Sequence, residues 1–318
     1  MEMKKPKSIS NVRVLDVGKF NIPLYIIFTI IIILIGGAVQ SFALMAFVIM
    51  YAAVSGEEAL VESVFSNPSG IMDFISKNPA ASLLTLFLTI AGVIACILLA
   101  KIIDKRKLRD LGMEKKGFLK EYGKGILLGF GVFSIIILIE TILGAYTFDG
   151  INPINVSTLL LILFAIGFMI QSFEEEIIMR GYLLPSVVAK HSALTGVIVS
   201  SVVFSLIHLS NASFSIVAFI NIVLIGLVLG LLYVITDNIW VVSGFHFIWN
   251  FAQGCIYGIE VSGTNLNVSL LKSTQVVGKE LVNGGSFGAE GGIITTVMIT
   301  VLIILLLVYM IKKKLIVK

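Results

Sequence analysis

Acidic, imidazole and amide side chains recur inside apolar stretches of this sequence, where such groups are costly. The run Glu174–Glu176 follows a long apolar stretch, and His208 closes a shorter one. His246 and Asn250 lie within a third. Ionisable residues in membrane-embedded helices are rare and usually functional. Glutamate and histidine are also the side chains that transfer protons in many enzymes, so this pattern is typical of a functional site.

The spacing of these residues predicts how they face one another on helices. Glu176 and Arg180 are four residues apart and can pair directly on one helix face. Glu175 precedes Glu176 by one residue and points about 100° away, which leaves it free to face a cavity. His246 and Asn250 are also four apart, so both side chains can point at the same spot.

Each of these features also has a structural explanation when it is taken alone. Phe204 and His208 share a helix face, where the histidine could simply form an interhelical hydrogen bond. Adjacent glutamates before an arginine often mark a solvated helix end. Trp240 and Trp249 are expected to pack or to anchor at the membrane interface. Glu140 is left unassigned, because a long side chain near a helix end can reach the interface.

The composition requires lipid as the solvent for much of the chain. Of 318 residues, 58% are hydrophobic and 13% are charged, whereas an average soluble domain has about 25% charged residues. The mean hydropathy is +1.05. Cys96 and Cys255 both lie in apolar segments and are interpreted as buried small residues. The sequence therefore predicts an all-α integral membrane protein.

Apolar stretches long enough for a membrane span define the predicted helices. We predict a bundle of about eight transmembrane helices at residues 22–54, 80–100, 125–146, 156–183, 194–209, 214–235, 239–257 and 293–311. At 1.5 Å per residue, His246 lies about 10 Å and His208 roughly 25 Å from the start of its span. A tilt, or a surface helix around residues 185–190, would reconcile these depths.

The distribution of basic residues predicts the orientation. All but three of the 23 Lys and Arg residues fall in connections that share one side of an eight-span bundle, namely 1–21, 101–124, 180–190 and 312–318. The exceptions are Lys77, Lys272 and Lys279. Because cytoplasmic connections are enriched in basic residues, both termini are predicted to be cytoplasmic.

Two connections on the other side are unusual. Residues 55–79 are acidic, and residues 258–292 are rich in Gly, Ser and Asn without clear periodicity. A connection as long as the second is usually either functional or disordered, and the sequence leaves both possibilities open.

Three motifs, on separate spans and in this order, together resemble the CPBP family. They are Glu-Glu-x-x-x-Arg (Glu175, Glu176, Arg180), Phe-x-x-x-His (Phe204, His208) and His-x-x-x-Asn (His246, Asn250). This family comprises CAAX-processing and bacteriocin-processing intramembrane peptidases, also called Abi or type II CAAX endopeptidases. The resemblance covers about residues 108–257. We therefore divide the chain into an N-terminal segment with two spans (1–107), a catalytic core (108–257) and an outer loop with the last span (258–318).

The resemblance implies an intramembrane endopeptidase and gives each motif a role. Glu175, with His208, would activate a water molecule, and His246 and Asn250 would donate hydrogen bonds to the oxyanion. Glu176 and Arg180 would orient Glu175, with Phe204 packing beside the imidazole. The substrate would be a membrane-associated peptide or protein, cut near the cytoplasmic face, and no nucleic acid would be involved.

A metal-dependent version of this chemistry remains an alternative. Two histidines and one glutamate form a common catalytic zinc set, and Glu175, His208 and His246 could supply it. The His-Glu-x-x-His motif of many zinc peptidases does not occur in the sequence. We favour a glutamate-dependent reaction without a cofactor, with zinc as the alternative.

Two other classes of function compete with the peptidase. A non-catalytic membrane scaffold or regulator could keep the polar cluster for packing. A proton-coupled transporter could use it as a proton relay, although no inverted repeat is evident. The Ile- and Lys-rich usage favours a bacterial plasma membrane, where pheromone or bacteriocin precursors, or a membrane regulator, are plausible substrates by family analogy. The oligomeric state is left open.

Overall fold

The structure is a computed structural model that describes residues 2–3, 5, 9, 12–66, 68–152 and 157–317. Val156, the predicted start of the fourth span, lies outside the described residues. So do Lys4, Lys7 and Lys318 of the basic terminal segments. Within the described residues the chain is mostly helical, with two short strand pairs at its edges.

The apolar segments of the sequence form the helices. These are α1 (Asn21–Ser55), α2 (Glu58–Ser66), α3 (Pro68–Lys77), α4 (Pro79–Leu88), α5 (Ile90–Ile102), α6 (Phe118–Ile142), α7 (Thr158–Glu176), α8 (Leu184–Val188), α9 (Ala193–Ile207), α10 (Ile216–Thr236), α11 (Ile239–Phe251), α12 (Glu280–Asn283) and α13 (Ile293–Lys312). The strands are β1 (Glu2–Met3), β2 (Tyr146–Ile151), β3 (Leu271–Gln275) and β4 (Ile316–Val317). Short 3-10 turns cover Gly18–Phe20, Leu108–Leu111, Gly285–Phe287 and Ala289–Gly291.

Six helices in the described part of the chain are long and apolar enough to cross a membrane. They are α1, the α4–α5 pair (Pro79–Ile102), α6, the continuous helix Thr158–Val188, α10 and α13. This confirms a multi-pass helical membrane protein. The two other predicted spans are also helical but shorter. Helix α9 has 15 residues, and α11 has 13 before it continues as a π-helix, Ala252–Ile256.

The connections between helices form two faces, held by separate sets of contacts. On the inner face, β1 pairs with β4, so the two ends of the chain meet. Lys190 contacts Asp16 at 2.6 Å there, and Asn21 donates to the Ser186 carbonyl. On the outer face, β2 pairs with β3. We use these two names below, and the inner face carries most of the basic residues.

The two unusual outer connections are folded. Helices α2 and α3 pack on the end of α1 through a small core that includes Leu44, Val48 and Phe74. Residues 258–292 contain β3, α12 and two 3-10 turns. This connection was predicted to be either functional or disordered, and the structure shows that it is ordered. Cys96 and Cys255 are buried and free, as expected.

The inner connection 108–114 packs against the start of α11. The Ile239 amide, at the start of α11, donates to the Gly112 carbonyl, and Trp240 Nε1 donates to the Glu114 carbonyl. Helix α11 thus begins beneath a covering segment of the inner connection. The expected surface helix around 185–190 is wrong, because α8 is wholly buried and continues the helix that carries the glutamates.

Helices α6 and α11 approach each other backbone to backbone through glycines. A Cβ on Gly125 would lie 2.0 Å from the Val241 carbonyl oxygen, and one on Gly129 would lie 2.7 Å from the Phe245 carbonyl oxygen. From the opposite helix, a Cβ on Gly244 would lie 2.3 Å from the Tyr122 carbonyl oxygen. Small residues at this spacing are the usual means of close helix packing in membranes.

Substitution of Gly125 by alanine should therefore separate the two helices. The added methyl group would meet rigid backbone, and overpacking of this kind costs about 1–3 kcal/mol. We expect Gly125→Ala to lower the unfolding temperature of the purified protein in detergent. The matched control is Gly131→Ala in the same helix, where a Cβ meets nothing within 4 Å. Equal unfolding temperatures for the two variants would refute this account of the packing.

Candidate active site

The helix that carries the three glutamates changes its geometry at the end of the motif. Helix α7 ends at Glu176 and continues as a π-helix over Ile177–Leu183, all seven residues of which are buried. Insertions of π-helix are rare and frequently occur at functional sites. The three glutamates lie in the last turn before this change, and the 100° step of the α-helix turns them toward three different environments.

Glu176 joins two positive or proton-donating groups inside the bundle. Its Oε1 atom accepts from Arg180 Nη1 at 2.8 Å and from His246 Nδ1 at 2.9 Å. Arg180 is also fully buried, donates to the Gly226 carbonyl at 3.3 Å and lies over the Phe204 ring at 4.6 Å. This one carboxylate thereby links α7, its π-helical extension and α11, while Arg180 adds α9 and α10.

Glu175 turns instead toward a cavity. Its Oε1 atom accepts from Gln171 Nε2 at 2.5 Å. Its Oε2 atom is buried without a hydrogen bond and lies 3.6 Å from His246 Nε2 and 4.0 Å from His208 Nε2. Buried carboxylate oxygens are nearly always hydrogen-bonded, so an unpaired one facing two imidazoles indicates a reactive position.

The other ring nitrogen of each histidine is fixed by an acceptor. His208 Nδ1 lies 2.7 Å from the Phe204 carbonyl oxygen, which can only accept, so Nδ1 carries the proton. His246 Nδ1 likewise faces the carboxylate of Glu176. Both rings therefore direct Nε2 at Glu175. The Phe204 ring packs edge-on against His208, with 4.7 Å between the ring centroids.

Gln171 connects Glu175 to Asn250 and was not predicted from the sequence. Its Oε1 atom accepts from Asn250 Nδ2 at 3.1 Å, while its Nε2 atom donates to Glu175. A signal was present, because Gln171 precedes Glu175 by four residues and so shares its helix face. It is a polar residue inside an apolar span.

The site residues line one cavity of about 440 Å³. Glu175, His208, His246, Asn250 and Phe204 are all in its wall, as is Gln171. Glu176 and Arg180 are behind the wall, with side chains that are wholly buried. The structure thus brings together all seven residues singled out from the sequence. Five of them line the cavity, and the Glu176–Arg180 pair packs behind them.

The remaining acidic residues in the spans lie elsewhere. Glu174 packs at the crossing of α1 and α5, where a Cβ on Gly92 would come 1.8 Å from its Oε1 atom and one on Gly36 3.3 Å. Glu140 is fully buried, and neither of its carboxylate oxygens has a hydrogen bond. The outer connection 258–292 covers it beside Gly292, so the expectation that Glu140 could reach the interface is wrong.

The residues as placed do not fit a zinc site. Among the described residues, no group of three or more His, Cys, Asp or Glu side chains is arranged to hold a metal ion. With zinc–ligand distances of about 2.0–2.2 Å, neighbouring ligand atoms in a tetrahedron lie roughly 3.3–3.6 Å apart. His208 Nε2 is 4.0 Å from Glu175 Oε2, which is wider than that range.

Comparison with known proteins identifies the class of this domain. Residues 157–252 match the family described as type II CAAX prenyl endopeptidase Rce1-like. The matched segment contains all the candidate site residues from Gln171 to Asn250. A comparison with curated proteins finds no match. The family prediction is confirmed: the chain carries an Rce1-like domain, and this is a family of intramembrane CAAX-type proteases.

Proposed function

We propose that this protein is an intramembrane endopeptidase that hydrolyses a peptide bond in a membrane-associated peptide or protein. One observation carries the proposal: an unpaired oxygen of Glu175 lies between two imidazole Nε2 atoms in the wall of a cavity. A gap of about 4 Å between polar atoms is suited to a bridging water molecule.

In the proposed reaction, Glu175 and His208 activate the attacking water. The water bridges Glu175 Oε2 and His208 Nε2, and Glu175 accepts its proton as the oxygen attacks the carbonyl carbon. His208 presents Nε2 as an acceptor because its Nδ1 proton is held by the Phe204 carbonyl. Gln171 holds the other oxygen of Glu175 in place. The hydrogen bond to an ionised group is among the stronger ones in proteins.

His246 and Asn250 complete the reaction by stabilising charge. His246, when it carries protons on both nitrogens, donates from Nδ1 to Glu176 and from Nε2 to the oxyanion. Asn250 supplies an amide N–H from the same helix face. Collapse of the tetrahedral intermediate breaks the C–N bond, and Glu175 returns its proton to the leaving amine. Losing one such oxyanion donor costs about 100- to 1000-fold in turnover.

The proposed setting is a bundle of eight spans with both termini in the cytoplasm. The pairing of β1 with β4 supports placing both ends of the chain on one side, and the basic inner face supports a cytoplasmic assignment. We keep the catalytic core at residues 108–257 and place the protein in a bacterial plasma membrane. Its substrates would be secreted precursors such as pheromones or bacteriocins, or a membrane regulator.

The direct test compares cleavage of membrane-anchored peptides by purified variants. Glu175→Gln and His208→Gln should each lower the rate about 100- to 10,000-fold, because each removes a group that activates the attacking water. Glu174→Gln is the matched control, since this neighbour faces Gly36 and Gly92, and it should retain the wild-type rate within about threefold. Cleavage by Glu175→Gln at the wild-type rate would show that Glu175 is not the catalytic base, whereas no cleavage by the unmutated protein would favour a non-catalytic scaffold.

Gln171 is proposed as a positioning residue for Glu175. Gln171→Met keeps the length of the side chain but removes the hydrogen bond to the carboxylate, which is worth about 1.5–3 kcal/mol. We expect kcat to fall about 10- to 100-fold, while KM and the unfolding temperature stay near their wild-type values. A variant with unchanged kcat, or one that simply unfolds at lower temperature, would contradict this role.

The absence of a metal requirement is a further proposal, which chelation can test. Cleavage should survive prolonged treatment with 1,10-phenanthroline followed by removal of the chelator. Metal analysis of the treated protein provides the control that any bound zinc has been removed. Loss of cleavage that added zinc restores would instead support the zinc-dependent alternative.

A further inference from the structure

The wall of the catalytic cavity is asymmetric between the two faces of the bundle. Apart from residues within the spans and His208 itself, the cavity is lined by residues of the outer connections. These are Met72, Ile75, Asn211, Val261, Ser262, Thr264, Leu266 and Glu290. Within the described residues, none of the inner connections, which carry most of the basic side chains, contributes to the wall.

The inner side of Glu175 is closed by packed side chains. The π-helix that follows Glu176 is buried along its whole length, and Arg180 within it is sandwiched against Phe204. Further inward, Arg106 lies against Tyr182 at 4.8 Å and donates to its carbonyl oxygen. A substrate coming from the inner face would have to displace these two buried guanidinium groups.

Two segments of the outer connections cover the outer side of the cavity. Helix α3 contributes Met72, which is 41% exposed and so lies at the rim. The other segment is residues 261–266, which the Glu290 carboxylate anchors by accepting from Ser262 Oγ at 2.6 Å. Just beyond the second segment, Asn267 Nδ2 donates to the Ser76 carbonyl of α3 at 2.8 Å.

The chemistry of the wall fits a short peptide segment. The cavity has a volume of about 440 Å³, within the range of about 300–1,000 Å³ that encloses a drug-sized molecule. A folded domain is too large to enter it. Apolar side chains such as Ile33, Leu86 and Ile207 line it, together with the amides of Gln171 and Asn211. An extended peptide with apolar side chains would find both burial for its side chains and partners for its backbone.

We propose that the substrate is a short, extended apolar peptide segment that enters from the outer face, between α3 and residues 261–266. This inference rests on the proposed peptidase function and names its substrate class and route. It replaces the expectation of cleavage near the cytoplasmic face. With the basic inner face in the cytoplasm, the scissile bond is presented from the extracytoplasmic side.

Thiol labelling tests the route independently of activity. Thr264→Cys places a thiol in the cavity wall, and Lys115→Cys places one on the exposed inner connection. The two native cysteines are buried, so the unmutated chain is the blank. A membrane-impermeant maleimide should label Thr264→Cys in right-side-out vesicles and Lys115→Cys only in inverted ones. Labelling of Thr264→Cys only in inverted vesicles would overturn the proposal.

The modified proteins then report on function. A bulky maleimide at Thr264→Cys should lower peptide cleavage at least tenfold, whereas the same group at Lys115→Cys should leave the rate unchanged. Full cleavage by labelled Thr264→Cys would show that the substrate takes another route. Met72→Cys, at the rim, provides a second labelling site if Thr264→Cys does not assemble. Because labelling needs no catalysis, an unmutated protein without cleavage activity would contradict the proposed peptidase function but not the proposed route.

Discussion

The buried carboxylate of Glu176 is the interaction on which the site depends. It accepts from Arg180 and from His246 at once, so it fixes the rotation of α7 and the position of α11 together. Removing one partner of a buried ion pair typically costs about 3–5 kcal/mol, because the other charge remains uncompensated. The pair therefore acts as a rigid support, and Glu175, one residue earlier, gains a defined direction into the cavity.

Close helix packing makes this arrangement possible. Glycines in α6 and α11 let their backbones touch, which brings His246 and Asn250 to the level of Glu175. The inner connection at Gly112 closes the start of α11, and the folded outer connections roof the cavity. The Glu176–Arg180 pair is thus wholly buried inside the bundle, while Glu175 faces the cavity.

Most of the helices and the main contacts of the site could be predicted from the sequence. The helices and the contacts are marked by different features. Apolar length alone marks the spans, and four-residue spacing correctly paired Glu176 with Arg180 and aligned His246 with Asn250. The π-helix, the covering of the start of α11 and the burial of Glu140 could not be predicted, because each results from contacts with segments distant in sequence. Gln171 could have been found from its spacing. The folded outer connections lack the periodicity that would reveal them.

The most direct test of the central claim is a double-mutant cycle on peptide cleavage by the purified protein. If Glu175 and His208 act on the same water molecule, their effects cannot be independent. The double variant Glu175→Gln/His208→Gln should then cleave no more than about threefold more slowly than the slower single variant. A loss equal to the product of the two single losses would show that the carboxylate and the imidazole act at separate points, and would contradict the account.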